Sequence, residues 1–331
     1  MARLFAAALF ACWLSGPAFA AGLDVAAINN AGYRARPAAE DKADATIIKA
    51  QVLLERALFS PGEIDGKFAE NTRKALQAFA EAKGLTFQKT LTPEIWAKLN
   101  ETNQGDVITS YTISQKDVKG PFVRRIPARL EAMKSLPALG YKSAREALAE
   151  RFHMSEGLLA QLNPGKKFDR AGETIFVVNG RDPRLKLSVA RIEVDKSRQT
   201  VKAFDGGGAL VAFFPATVGS QDKPTPSGTL KVISSDANPY YRYNPAYRFK
   251  GVHAKRPFII KPGPNNPVGS YWIGLSGEGY GIHGSPEPSK ISKSESHGCI
   301  RLTNWDATLL GASVKKETPV DFVEGADNKE S

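Results

Sequence analysis

The chain has 331 residues, 42% hydrophobic and 24% charged, with 45 Lys and Arg against 34 Asp and Glu. This composition excludes wholesale disorder and collagen-like or coiled-coil architecture, and the length allows about two domains, or one plus small modules. The net charge of +11 predicts a partner that is anionic or rich in carboxylates, without saying which.

Residues 1–20 read as a signal peptide: Arg3 is a short basic start, residues 4–14 form an apolar core, and Ala18-Phe19-Ala20 is a small-residue cleavage site. The apolar run is too short to span a bilayer. Cys12 leaves with this peptide, so the predicted mature protein carries +10 and one cysteine, Cys299. An internal disulfide is thereby excluded. A lone thiol in an oxidising compartment is a liability unless it is buried, paired between chains, or used.

Residues 21–44 lack sustained periodicity and read as an exposed leader. Residues 45–102 look helical: Ile47, Ile48, Val52, Leu53, Leu54, Ala57 and Leu58 recur at helical spacing. Turn chemistry at 60–66 precedes a second helix through Thr72, Ala75, Leu76 and Phe79, closed by Gly84. Thr92-Pro93-Glu94 opens a third helix, which carries Trp96 and Leu99. The stretch resembles the three-helix peptidoglycan-binding module of bacterial wall enzymes. The resemblance rests on Gln51, Leu54, Gly62, Asp65-Gly66, Phe68, Thr72, Ala75, Phe79, Gly84-Leu85, Thr92, Trp96 and Leu99. Phe79-Ala80 departs from the usual Phe-Gln. The competing reading is a helical spacer packed on the next domain.

Residues 108–180 open on a strand at Tyr111-Thr112-Ile113. They continue through two helical segments (147–152 and 155–159), Leu162-Asn163-Pro164 and a strand at 174–178. Their second half resembles a degenerate LysM domain, a glycan-binding module with one helix pair against two strands, interrupted by an insertion at 116–137. His153 falls between the helices and reads as structural or solvated. From 184 to 324 the texture turns to strands, with β-formers at 190–194 and 200–204. Asp205-Gly206-Gly207-Gly208 lacks a GK[ST] ending and a following helix, so it reads as a hairpin loop rather than a phosphate cradle. Residues 325–331 form a loose tail.

Of four histidines, His253, His283 and His297 share this last region with Cys299. A cysteine nucleophile needs a base or ion-pair partner, donors for an oxyanion, and a group that holds substrate. Tyr280-Gly281-Ile282-His283-Gly284-Ser285 and Ser296-His297-Gly298-Cys299-Ile300-Arg301 can supply all three. An imidazolium lowers a thiol pKa, Gly298 permits a turn that aims its N–H and that of Cys299 at one spot, and Arg301 can fork onto a carboxylate. The residues alone leave open whether His283 or His297 moves the proton. An inert buried Cys299 is disfavoured by its polar neighbours, and a zinc site from these histidines and Cys299 matches no usual ligand spacing. Thr303 and Asp306 form a helix capping box with no catalytic role, and Trp305 reads as packing. Tyr271 and Trp272 either line a groove or belong to the core. The basic residues Arg242, Arg248, Lys250, Lys255, Arg256 and Lys261 alternate with Tyr240, Tyr241, Tyr243, Tyr247 and Phe249. Export argues against nucleic acid, which leaves a solvated loop or a lid meeting carboxylate-rich peptides.

Residues 188–323 resemble the catalytic domain of the YkuD-type L,D-transpeptidases. The shared motifs are Thr225-Pro226-Ser227-Gly228, Asn266-Pro267-Val268-Gly269, Ile282-His283-Gly284 and Ser296-His297-Gly298-Cys299-Ile300-Arg301. The resemblance implies a mainly β, sandwich-like catalytic domain behind an all-α module and a small α+β LysM-like module. It also implies Cys299 as nucleophile, His283 as proton acceptor and donor, Gly284 as orienter, and the amides of His297, Gly298 and Cys299 as oxyanion hole. Arg301 and Asn266 become substrate-positioning or loop-fixing groups, with Ser296 and Trp272 beside the substrate. The implied reaction is acyl transfer from the diamino acid–D-Ala bond of a peptidoglycan stem to an amine of another stem or of a wall-anchored protein, without metal or cofactor. Water as acceptor would make a carboxypeptidase, and loss of activity a wall-binding protein. Carbapenems would acylate Cys299. The implied setting is the periplasm or cell wall, with peptidoglycan biogenesis and cell shape as the process.

Overall fold

A computed structural model describes residues 23–35, 42–103, 105–182, 184–219, 224–247, 252–294, 296 and 298–325. The predicted signal peptide, residues 248–250, His297 and most of the tail lie outside these. Among the described residues no helix is long and apolar enough to cross a membrane.

The predicted leader contains a helix, α1 (Val25–Asn29), capped by the Asp24 carboxylate, which accepts from the Ala26 N–H. One turn and a half is too short for periodicity to register, yet Ile28 is buried in the core. The Asn29 side chain accepts from the Val107 and Ile108 N–H groups and donates to the Ile108 carbonyl.

Three helices follow: α2 (Ala45–Arg56), α3 (Glu70–Ala82) and α4 (Pro93–Asn100). Asp44 caps α2, and Thr92 caps α4 with Pro93 in its first turn. Ten of the twelve α2 residues are buried, which makes it the central post of the N-terminal half. Strand β1 (Ile108–Thr112) pairs antiparallel with β2 (Thr174–Val178). Between them lie α5 (Gln115–Lys119), α6 (Leu130–Met133), α7 (Ala144–Arg151) and α8 (Glu156–Leu162). Leu53, Phe79 and Leu99 share one continuous core with Ile108, Leu159 and Val177, so the two front segments pack as one body.

The C-terminal half runs through β3 (Arg191–Asp195), β4 (Thr200–Phe204), β5 (Leu210–Pro215), β6 (Gly228–Ala237), β7 (Tyr241–Tyr243) and β8 (Phe258–Ile260). It ends with β9 (Tyr271–Leu275), β10 (Gly281–His283), β11 (Ile300–Arg301), α9 (Asn304–Ser313) and β12 (Pro319–Val323). Eight strands make one sheet in the order β11-β10-β9-β6-β12-β3-β4-β5, while β7 and β8 form a separate hairpin. Strand β6 pairs with β12 over its first half and with β9 over its second, across a register shift at Val232/Ser234. That irregularity turns the sheet on itself, so Ile192, Val201 and Phe214 face one core with Ile273, Ile282 and Ile300. The sandwich-like expectation thus takes the form of a single curled sheet.

The curl brings the sheet's two ends together. Just beyond β5, Thr217 exchanges main-chain hydrogen bonds with Arg301 of β11 (2.8 and 2.9 Å), and the Ser296 N–H donates to the Val218 carbonyl at 2.8 Å. The β5 edge is covered by the N-terminal half: the Ser60 N–H donates to the Phe213 carbonyl and the Phe213 N–H to the Leu58 carbonyl, both at 2.9 Å. Phe213 itself belongs to the N-terminal core.

A buried charged knot joins the halves. The Arg181 guanidinium lies 2.7 Å from Glu55 and 3.2 Å from Asp306, and all three side chains are at most 4% exposed. His153 contacts Glu55 at 2.6 Å and stacks on Trp305. The Asp306 N–H donates to Thr303 Oγ1, while the Asp306 carboxylate also accepts from the Ser60 hydroxyl at 2.7 Å.

Candidate active site

The seam where the sheet ends meet carries Ser296, Gly298, Cys299 and Arg301. His283 stands on the neighbouring strand. Strands β10 and β11 are parallel, with Ile282 opposite Ile300 and His283 opposite Arg301. Side chains of register partners share a face, so the imidazole and the guanidinium lie side by side. On the other flank His283 pairs with Trp272 of β9, and the two rings stack at 5.5 Å between centroids. This stack needs Gly281, because a Cβ there would stand 2.5 Å from the Trp272 ring.

His283 is buried, and its Nδ1 lies 2.7 Å from the Gly284 carbonyl oxygen. A carbonyl only accepts, so Nδ1 carries the proton and Nε2 keeps its lone pair. Burial, and secondarily the Arg301 charge, push the imidazole pKa down to about 3. The resting imidazole is therefore neutral. The ion-pair route, in which an imidazolium draws the proton off the thiol in the resting state, does not suit this environment. Arg301 supplies the positive charge that the sequence reading assigned to histidine: it interacts electrostatically with Cys299, Glu287 and the Tyr241 hydroxyl.

Cys299 is half-buried, with its thiol 3.5 Å from the Gly279 carbonyl oxygen. Gly298 has φ +102°, a conformation that L side chains rarely adopt. Its N–H, expected to face an oxyanion, donates instead to Ser296 Oγ at 3.2 Å. The Ser296 hydroxyl donates to the Cys299 carbonyl and is buried. Ser296 therefore shapes the turn that carries Cys299. Asn266 is fully buried as well: its Nδ2 donates to the Lys261 carbonyl at 2.8 Å, and its Oδ1 accepts from the Val268 N–H at 3.0 Å. His297 lies outside the described residues. No group of three His, Cys, Asp or Glu side chains able to hold a metal exists among the described residues.

The β7–β8 hairpin brings Tyr241 to the site. Burial, then the neighbouring Cys299, raises its hydroxyl pKa, while Arg301 opposes that shift. Tyr241 was legible only as one aromatic among several in the basic segment. Tyr240 and Ile259 of the same region are exposed. Both front segments touch the loops around the site. Asn71 donates to the Ile291 carbonyl at 3.1 Å, and Lys74 to the Ser292 hydroxyl at 2.7 Å, on the approach to Ser296. The Leu139 N–H donates to the Pro262 carbonyl, and Glu131 accepts from the His253 N–H. No local motif announces these braces.

Residues 189–321 match the sequence pattern of the YkuD L,D-transpeptidase catalytic domain, and residues 44–99 match that of a peptidoglycan-binding domain. These patterns and the curled sheet define the class as an L,D-transpeptidase catalytic domain behind a helical module. A Bacillus licheniformis protein carried under the name L,D-transpeptidase YkuD is 30% identical over 179 residues, 54% of this chain and 92% of its own. An Escherichia coli K12 protein carried under the name L,D-transpeptidase YbiS is 28% identical over 54% of this chain and 60% of its own. A crystal structure of an Enterococcus faecium L,D-transpeptidase aligns over 41% of this chain and 50% of its own, at 22% identity and a TM-score of 0.32. The chain belongs to the YkuD family of L,D-transpeptidases.

Proposed function

We propose that this protein is an exported peptidoglycan L,D-transpeptidase in which Cys299 is the nucleophile and His283 the general base and acid. The observation that carries this reading is the Nδ1 hydrogen bond to the Gly284 carbonyl, which leaves Nε2 of a neutral, buried imidazole as the proton acceptor. Nε2 takes the Cys299 proton as sulfur attacks the carbonyl carbon of the diamino acid–D-Ala bond, and the Arg301 charge supports the thiolate. The Cys299 amide serves the oxyanion. The tetrahedral intermediate collapses: the C–N bond breaks, the imidazolium protonates the leaving D-Ala amine, and a thioester remains. An acceptor amine then attacks the thioester and gives its proton to Nε2, the C–S bond breaks, and the imidazolium returns that proton to the leaving Cys299 sulfur.

The stem donor carries carboxylates, which fits Arg301, the basic hairpin segment and the net charge of +11. The helical module at 44–99 would hold the enzyme on the wall. A second stem or a wall-anchored protein would supply the acceptor amine, with no metal, cofactor or nucleic acid taking part.

The test is incubation of tetrapeptide muropeptides with wild type and Cys299→Ala, followed by mass spectrometry. Cross-linked dimers from wild type alone support transpeptidation. Free tripeptide alone assigns the site to an L,D-carboxypeptidase. Binding to sacculi with no product from either protein would make the chain a wall-binding protein.

A further inference from the structure

The hydrogen bond that sets the His283 tautomer ends on a carbonyl, and that carbonyl is itself held. Gly284 donates its N–H to the Tyr271 carbonyl at 3.0 Å. On its other side it packs against the Asn304 side chain: a Cβ on Gly284 would stand 2.2 Å from Asn304 Oδ1, and one on Gly269 would stand 2.1 Å from the same oxygen. Asn304 Oδ1 is thus wedged between two glycines, where it accepts the Ser270 N–H at 2.8 Å. The network fixes the amide's orientation. Ser270 offers only a donor, so oxygen must face it, and nitrogen must face the acceptors on the opposite side.

Those acceptors are the Pro264 carbonyl at 3.1 Å and Glu150 Oε1 at 2.9 Å. Glu150 belongs to α7, 154 residues away in the chain. It lies outside both matched family regions, 44–99 and 189–321. Its Oε1 also accepts from the Tyr141 hydroxyl at 3.1 Å. Asn304 is 2% exposed. Losing the Glu150 acceptor would leave a buried N–H without a partner, a penalty that favours rotation of the amide and release of its hold on Gly284.

We propose that Glu150 and Asn304 are positioning residues for His283, so that seating of the α7 segment against α9 sets the Gly284 carbonyl that orients the imidazole. This rests on the reading of Cys299 and His283 given above. Glu150 touches no reacting atom and acts through Asn304 and Gly284. The expected signature is therefore a loss of turnover and of thiol activation without a loss of substrate binding.

The test compares full-length wild type, Glu150→Leu, Glu150→Gln and Tyr141→Phe. Each is measured for kcat and KM on tetrapeptide muropeptides, and for the pH profile of iodoacetamide alkylation at Cys299 by site-resolved mass spectrometry. Glu150→Leu is expected to lower kcat about tenfold with KM within about twofold of wild type, and to slow Cys299 alkylation at neutral pH. Glu150→Gln keeps an oxygen acceptor for Asn304 and is expected to restore both. Should Glu150→Leu fail to fold, Tyr141→Phe removes only the hydroxyl that holds Glu150 and is expected to show the same signature in smaller degree.

A folded Glu150→Leu with wild-type kcat and alkylation profile overturns the proposal, as does a Glu150→Gln as impaired as Glu150→Leu. With Glu150→Leu unfolded, a Tyr141→Phe indistinguishable from wild type overturns it too. If wild type yields no product and its Cys299 reacts like an ordinary thiol, the reading of the site itself fails and this inference falls with it. A working wild type matched by Glu150→Leu removes the inference alone.

Discussion

His283 and Arg301 are register partners on parallel strands, an imidazole beside a permanent cation in a buried layer. Burial first, and then this neighbouring charge, keep the imidazole neutral, and the positive charge rests on a group that cannot give up its proton at working pH.

The pH dependence of catalysis tests that pairing. With its pKa at about 3, His283 contributes no acid limb near the ordinary imidazole value of about 6.5. Arg301→Leu is expected to move a limb up toward that value and to lower kcat/KM about 100-fold, the scale for losing one charge-stabilising group. Rate profiles from pH 4 to 8 for both proteins would show it. A wild-type limb at the ordinary imidazole value would contradict the neutral-base account.

Two buried carboxyls each add a pH-dependent contribution to stability. Burial raises Glu63 and Glu150 from 4.5 to about 7. A carboxyl whose folded pKa lies above its unfolded one stabilises the fold fully below the unfolded value. That contribution is lost as pH rises from about 4.5 through 7. Glu63→Gln is expected to flatten this part of the melting-temperature profile, removing a slope worth on the order of 2 kcal/mol. Calorimetry at pH 4.5, 6 and 7.5 checks it.

The knot between the halves depends on Arg181, which sits between Glu55 and Asp306. Replacing it with Met leaves two buried carboxylates without their cation. The expected destabilisation is about 3 kcal/mol, read as a lower urea midpoint. The companion change Glu55→Gln in that background should recover part of the loss, because it removes one of the stranded charges. Equal midpoints for wild type and Arg181→Met would mean that the knot adds nothing to the fold.

Residues 116–137 lead into the segment bracing the loop before Asn266. A Cβ on Gly263 would fall 2.1 Å from the Leu139 carbonyl oxygen, and the residue has φ +145°. Gly263→Ala is therefore expected to push the loop off its brace, lowering activity several-fold while the core persists. Near-wild-type circular dichroism with reduced turnover is the predicted pair of observations.

The parts of the fold legible in the sequence were those encoded locally. Thr92-Pro93 announced α4 and Gly84 the end of α3, whereas β10 and β11, which set His283 beside Arg301, span three and two residues and are too short for a strand pattern to show. Helix α1 escaped because it spans Val25–Asn29 alone and shows no period. The Glu150–Asn304 and Glu55–Arg181–Asp306 contacts escaped for a different reason. In sequence, a polar residue on a helix looks the same whether it faces water or a partner more than a hundred positions away. The direction of the Gly298 N–H depends on the Ser296 side chain, which spacing does not reveal.

The most direct test of the account asks which atom is acylated. Full-length protein is exposed to a carbapenem at pH 5 and pH 7.5, digested, and mapped by mass spectrometry beside Cys299→Ala and Arg301→Leu. The account predicts a single adduct on the Cys299 peptide at both pH values in wild type, none in Cys299→Ala, and slower labelling in Arg301→Leu. An adduct elsewhere, or no adduct on a folded wild-type protein, would contradict it.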